Sequence, residues 1–102
     1  MKIDIENTKY EIKSTSKFKY QLKKVAKQNK NLNELIYVIG KLANLEKLDK
    51  KYKNHNLINN KTYKDCMECH IKPDWLLIYK YENENLVLLL FATGSHSELF
   101  DK

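Results

Sequence analysis

The sequence predicts an α+β fold of order β-α-α-β-β-β, a small, mainly antiparallel sheet with two helices packed on one face. Two observations carry that prediction. The first half holds two stretches with apolar residues at helical spacing, and the second half holds three short apolar runs separated by hairpin-sized connections. The chain has 102 residues, enough for one domain around one core, so residues 1–102 are read as a single unit.

Tyr10-Glu11-Ile12-Lys13 alternates weakly and reads as a first strand at a sheet edge. Ser14 or Ser16 is placed to cap a helix running to about Asn29, with Phe18, Leu22, Val25 and Ala26 on its apolar face. Its other face carries Lys17, Lys19, Lys23, Lys24 and Lys27. A second helix starts at Asn31, where Glu34 completes the spacing of a capping box. Leu32, Leu35, Ile36, Ile39, Leu42 and Ala43 form its stripe, and Gly40 within it marks close packing. Residues 49–62 are polar and read as a loop. Strands follow at about 64–71, 75–81 and 86–92, joined by Lys72-Pro73-Asp74 and Glu82-Asn83-Glu84-Asn85. Thr93-Gly94-Ser95 makes a turn, and residues 97–100 a last half-turn.

Composition excludes several classes. No apolar run approaches the ~18 residues of a membrane span, and the start has no apolar signal core, so the cytoplasm is the expected compartment. Two glycines and one proline leave no room for a linker or low-complexity tail. Nineteen basic residues, all lysine, against thirteen acidic ones give a net charge of +6. That excess favours a polyanionic partner such as nucleic acid.

Hairpins centred on Asn83-Glu84 and Lys72-Pro73 would set Trp75 opposite Ala92 and His70 opposite Trp75, making one row of His70, Trp75 and Ala92. The alternate face, with Met67, Cys69, Ile71, Leu76, Ile78, Val87, Leu89 and Phe91, is then expected under the helices. Asp74 and His96 fall at the same end of the sheet as that row. The three histidines, His55, His70 and His96, are the residues able to exchange protons near neutral pH. Two histidines, a carboxylate, an aromatic ring and a lysine field suit metal-free cleavage of RNA. One group takes the 2′-OH proton, another protonates the leaving 5′ oxygen, and the ring stacks on a base.

Cys66-Met67-Glu68-Cys69-His70 matches the C-x-x-C-H haem-attachment spacing. On a strand, however, Cys66 and Cys69 point to opposite faces, so two reduced, partly buried thiols are expected, with no haem, zinc or other cofactor.

The segments Glu68-Cys69-His70-Ile71-Lys72-Pro73-Asp74-Trp75-Leu76-Leu77-Ile78-Tyr79 and Gly94-Ser95-His96-Ser97-Glu98-Leu99-Phe100 resemble the YafQ branch of the RelE/ParE superfamily. Its members are bacterial type II toxins that act as ribosome-dependent mRNA endonucleases. The resemblance implies a RelE-like fold. It also implies proton handling by His55, His70, Asp74 and His96, and substrate contacts from Trp75 and Phe100, around an mRNA codon in the ribosomal A site. Lys61 and Lys72 are the lysines expected to help bind substrate. The implied partners are a cognate antitoxin, the ribosome and its mRNA, with DNA reached only through the antitoxin.

This chain departs from the family pattern at Ala92, where the family carries an arginine facing the charge that develops on phosphorus. Loss of such a donor typically costs ~2.7–4 kcal/mol, about 10²–10³ in rate. Met67 replaces a second arginine, and Leu57-Ile58-Asn59-Asn60 lacks the family glycine. Lys61, Lys64, Lys72 or Lys80 is positioned to supply charge, without the planar fork of arginine. Ala92 reflects either a lineage without arginine or an introduced Arg→Ala change, and weakened cleavage is expected in both cases. The alternatives are a non-catalytic module that binds antitoxin and ribosome, and a gyrase-targeting toxin of the same superfamily.

Overall fold

The first helix, α1 (Ser16–Lys27), is capped by Thr15 rather than by Ser14 or Ser16. The Thr15 hydroxyl accepts from the Phe18 N–H at 3.0 Å and donates to the Phe91 carbonyl at 2.8 Å. One side chain therefore caps the helix and ties it to the sheet, which a local reading of the serines misses. The second helix, α2 (Leu32–Ala43), is capped by Asn31 as expected, but the capping box stays open because Glu34 turns away to Lys72 and Tyr52. The computed structural model describes residues 8–28 and 30–100, so the expected helix end at Asn29 lies outside the described residues.

The remaining elements are β1 (Glu11–Ser14), a single 3-10 turn at Lys50–Tyr52, β2 (His55–Asn56), β3 (Met67–Lys72), β4 (Trp75–Glu82), β5 (Val87–Gly94) and α3 (His96–Phe100). The strands form one sheet in the order β1-β5-β4-β3-β2. β1 pairs parallel with β5 at one edge, and the other three pairs are antiparallel. The α+β class and the β-α-α-β-β-β frame hold. The polar stretch 49–62 is not all loop, since it contributes the 3-10 turn and the two-residue strand β2. β5 also continues through Thr93 and Gly94, where a turn was expected. Among the described residues no helix is long and apolar enough to cross a membrane.

The expected strand register is wrong by two residues. Glu82 pairs with Val87 and Tyr79 with Leu90, because residues 83–86 form a four-residue loop closed by Leu86 in a left-handed conformation, φ 53°. An irregularity between Ile78 and Tyr79 then sets Ala92 opposite Ile78. The other hairpin pairs Lys72 with Trp75 and His70 with Leu76. A second irregularity, between His70 and Lys72, sets His70 opposite Leu76 instead of Trp75, and this odd shift turns β4 over: Met67, Cys69 and Ile71 lie under the helices as expected, whereas Leu76 and Ile78 do not. Trp75, Leu77, Tyr79, Leu88 and Leu90 lie in the large core with α1 and α2. Leu76, Ile78 and Ala92 lie on the opposite face in a smaller core with Tyr63, Cys66 and Leu99. Every residue from Trp75 to Tyr79 is buried, so alternation held no signal for which face was which.

Cys69 is in the first core and Cys66 in the second, on opposite faces as expected. Both thiols are free, and burial pushes Cys69 up to about 12 and Cys66 above its ordinary value.

Candidate active site

The open face of the sheet gathers all three histidines. The ring centroids of His55 and His70 are 6.4 Å apart, those of His70 and His96 5.9 Å, and those of His96 and Phe100 5.6 Å. Tyr63 continues the row, 5.5 Å from Phe100. The three histidines come from three different elements, β2, β3 and α3, so the row exists only once the sheet has formed.

His55 is set by β2, whose pairing with β3 brings it opposite Glu68. Lys53 just before it takes a left-handed conformation, φ 49°, and its carbonyl lies 2.6 Å from His55 Nδ1. His55 Nε2 is 3.0 Å from Glu68 Oε1, and His70 Nε2 is 3.5 Å from the same oxygen. Both nitrogens of His55 thus face acceptors, and the ring serves both only when doubly protonated. Glu68 is 4% exposed and is the residue that sequence reasoning missed. Its spacing of two from His70 on one strand was the available signal, but the pairing with His55 depends on a two-residue strand no pattern announces.

Asp74 and His96 meet across the β3–β4 turn. The Asp74 carboxylate accepts the His96 backbone N–H at 2.9 Å, and Asp74 Oδ1 lies 3.8 Å from His96 Nδ1. Ser95 and Glu98 close a reciprocal capping box over α3. The Ser95 N–H donates to Glu98 at 2.8 Å, and the Glu98 N–H donates to the Ser95 hydroxyl at 3.2 Å. The Ser95 backbone bond, helped by Lys24 at 3.5 Å, holds the Glu98 carboxyl below its ordinary range. Gly94 has φ 154°, a conformation that side chains rarely adopt, and a Cβ there would also push on the Glu98 carboxylate at 2.8 Å, so the start of α3 favours glycine.

The other expected site residues are not in the row. Trp75 is 1% exposed, and its indole N–H donates to Thr93 at 3.0 Å. In this position the ring has no face free for a base, which corrects the expected alignment of His70, Trp75 and Ala92. Ala92 is fully buried and lies in the cross-strand line of Glu68 and Ile78. Lys72 is exposed and pairs with Glu34 at 2.8 Å. Lys61 is exposed on the loop between β2 and β3, in a cavity with Leu57, Asn59, Asn60 and Lys64.

These features coincide with a known family. The family model described as "Bacterial toxin of type II toxin-antitoxin system, YafQ" matches residues 10–101. This chain belongs to the YafQ toxin family. The mRNA interferase toxin YafQ of Escherichia coli (strain B / BL21-DE3) is 33% identical over 91 residues, 88% of this chain and 95% of that protein. YafQ in the crystal structure of the E. coli DinJ-YafQ complex superimposes with a TM-score of 0.78 at 33% identity, covering 89% of this chain and 98% of that one. A metal-bound toxin from Helicobacter pylori gives a TM-score of 0.82 at 43% identity, covering 87% of this chain and 97% of that one. Among the described residues of this chain, no group of three or more His, Cys, Asp or Glu side chains is arranged to hold a metal ion. His55 and His70 instead turn toward a single carboxylate oxygen, Glu68 Oε1.

Proposed function

We propose that this chain is an mRNA interferase that cuts messenger RNA on the ribosome without a metal. The observation that carries this reading is the row of His55, His70, His96 and Phe100, with Glu68 and Asp74 beside its rings. The exposed rings of His55 and His96 stand on either side of the half-buried His70, and the scissile phosphate sits between them. The 2′-OH attacks its own phosphate. One flanking imidazole takes that proton and the other returns one to the leaving 5′ oxygen, leaving a 2′,3′-cyclic phosphate. Glu68 orients His55 and His70, and Asp74 orients His96. Phe100 offers a partly exposed ring for stacking, while Trp75 holds the strand end from within the core. Lysine supplies the field for ribosomal RNA.

The partners on this reading are the ribosome with its mRNA and a neutralising antitoxin, with DNA reached only through that antitoxin, and the site of action is the cytoplasm. The E. coli relative is known in complex with DinJ, which supports a protein inhibitor. The histidine row favours RNA cleavage over the gyrase-targeting alternative.

Ala92 favours a second reading, a toxin scaffold that binds but cuts weakly. Its methyl is enclosed with Tyr63 and Leu99, so no charge reaches the phosphate from this position. Primer-extension mapping of mRNA in a ribosome-programmed extract tests both readings. Cuts within codons that appear with ribosomes and are absent on naked mRNA support the enzyme. Ala92→Arg is expected to raise cleavage about 10²-fold or more. It should also lower the melting temperature, because a guanidinium must displace packed rings. No cuts from either form would leave the binding module.

A further inference from the structure

A second polar cavity borders the histidine row. It has a volume of about 350 Å³ and lies between the start of α2, the 3-10 turn and the β3–β4 hairpin, with polar walls of Glu34, Lys51, Tyr52, Lys53, His70 and Lys72. Its charges are held in place. Lys72 Nζ is 2.8 Å from Glu34 Oε1, and the Tyr52 hydroxyl donates to Glu34 Oε2 at 3.0 Å. The Lys72 hydrogen bond keeps the Glu34 carboxyl below its ordinary range, while burial and then Glu34 push Tyr52 up to about 12. Lys51 Nζ lies 5.2 Å from the centre of the Tyr52 ring. Lys53 links the cavity to the row a second time, since its carbonyl meets His55. Among the described residues no carboxylate lies within ion-pair distance of Lys51 or Lys53, so the cavity keeps surplus positive charge.

We propose that this cavity is a subsite for the RNA phosphodiester next to the one being cut, with Lys51, Lys53 and Lys72 supplying charge and Glu34 positioning Lys72. The proposal rests on the endoribonuclease reading and adds a second contact to it. A ligand continuous with a phosphate at the histidine row must pass His70, which forms the wall between the two. An acidic protein segment would feel the same charge but has no reason to run through that row. The chain lacks arginine, so three ammonium groups around one phosphate replace a bidentate fork.

The test is an NMR titration with a 2′-O-methyl dinucleotide, which cannot be cut, against the same dinucleotide carrying a terminal 5′ or 3′ phosphate. The dinucleotide is expected to shift His70 and His96. One of the two added phosphates should also shift Tyr52, Lys51 and Lys53, and steepen the dependence of log K on log salt by about 0.7. The double variant Lys51→Ala/Lys53→Ala should lose that increment, whereas the charge control Lys27→Ala on α1 should keep it. The proposal is overturned if neither phosphate moves the cavity residues, if the slope does not change, or if the control loses it equally. It is also overturned if hexaglutamate saturates the Tyr52 shift at lower concentration than the phosphorylated dinucleotide, which makes the cavity a protein contact. Failure of the enzyme reading is seen separately, as an absence of mRNA cuts on ribosomes while the titration behaves as expected.

Discussion

Beneath α1 and α2 the sheet buries Trp75, Leu77, Tyr79, Leu88 and Leu90 against a continuous apolar layer, whereas on the other face Leu76, Ile78 and Ala92 join a smaller cluster of Tyr63, Cys66 and Leu99, edged by Leu57, Phe91 and Phe100. The helix-covered face is built for burial, and the tyrosines there reach polar atoms at its margin. Tyr81 donates to the Leu42 carbonyl at 2.7 Å, and Tyr79 donates to Asn54. Because the open face has a small core covered only by the short helix α3, its margin is left to Glu68, His70 and His96. Strands shared by both faces thus bury apolar side chains on one and present the histidine row on the other. Thr93 joins the two, receiving the Trp75 indole N–H while its own N–H donates to Gln21 of α1 at 2.9 Å.

The largest expected effect lies on the open face. His96→Ala should reduce mRNA cleavage by about 10²–10⁴ in single-turnover assays while leaving the unfolding midpoint nearly unchanged. A matching loss of stability would show that the two faces are not separable. Leu77→Ala, beneath the helices, should cost about 3–5 kcal/mol in urea unfolding, because its side chain is fully buried. Activity measured well below the transition should survive. A smaller effect is expected where the faces are stitched together. Thr15→Ala removes the cap of α1 and its bond to Phe91, and should cost about 1–2 kcal/mol.

The smallest effect is one of pH. The Glu98 carboxyl is held below its ordinary value of 4.5, so its contribution is present above that value and is lost as pH falls through the depressed one. Glu98→Gln should therefore flatten the stability profile below about pH 4.5 and leave it parallel to that of the unaltered chain near neutrality. Since Glu98 is partly exposed, the difference should be modest and should shrink in salt. An equal fall for both forms would remove the α3 capping box from the account.

Much of this molecule was legible without coordinates. The helical stripes of Phe18–Val25 and Leu35–Ala43, the hairpin at Pro73 and the edge position of β1 follow from periodicity and turn chemistry. The segments around His70 and His96 carried the family resemblance. The site was legible as a list of side chains, since His55, His70, Asp74, His96 and Phe100 do come together, but it was not legible as an arrangement. Glu68 went unnoticed because a carboxylate between Met67 and the buried Cys69 has no meaning until β2 places His55 across from it. Trp75 was expected to face substrate because a regular hairpin would pair it with His70, whereas an irregularity between His70 and Lys72 pairs His70 with Leu76 and turns Trp75 to the other face.

The sequence by itself determined the class of fold, the order of its elements and the inventory of groups available for proton transfer, because these rest on local spacing and side-chain chemistry. Only the tertiary structure decided which face of the sheet the helices cover, and therefore that Trp75 is buried, that Ala92 lies in line with Glu68, and that three histidines share one surface. The physical reason is the two-residue period of a strand. Where both faces are apolar, hairpin loop length and two irregularities, at His70/Lys72 and Ile78/Tyr79, set the register, and none of these leaves a mark in the pattern of hydrophobic residues.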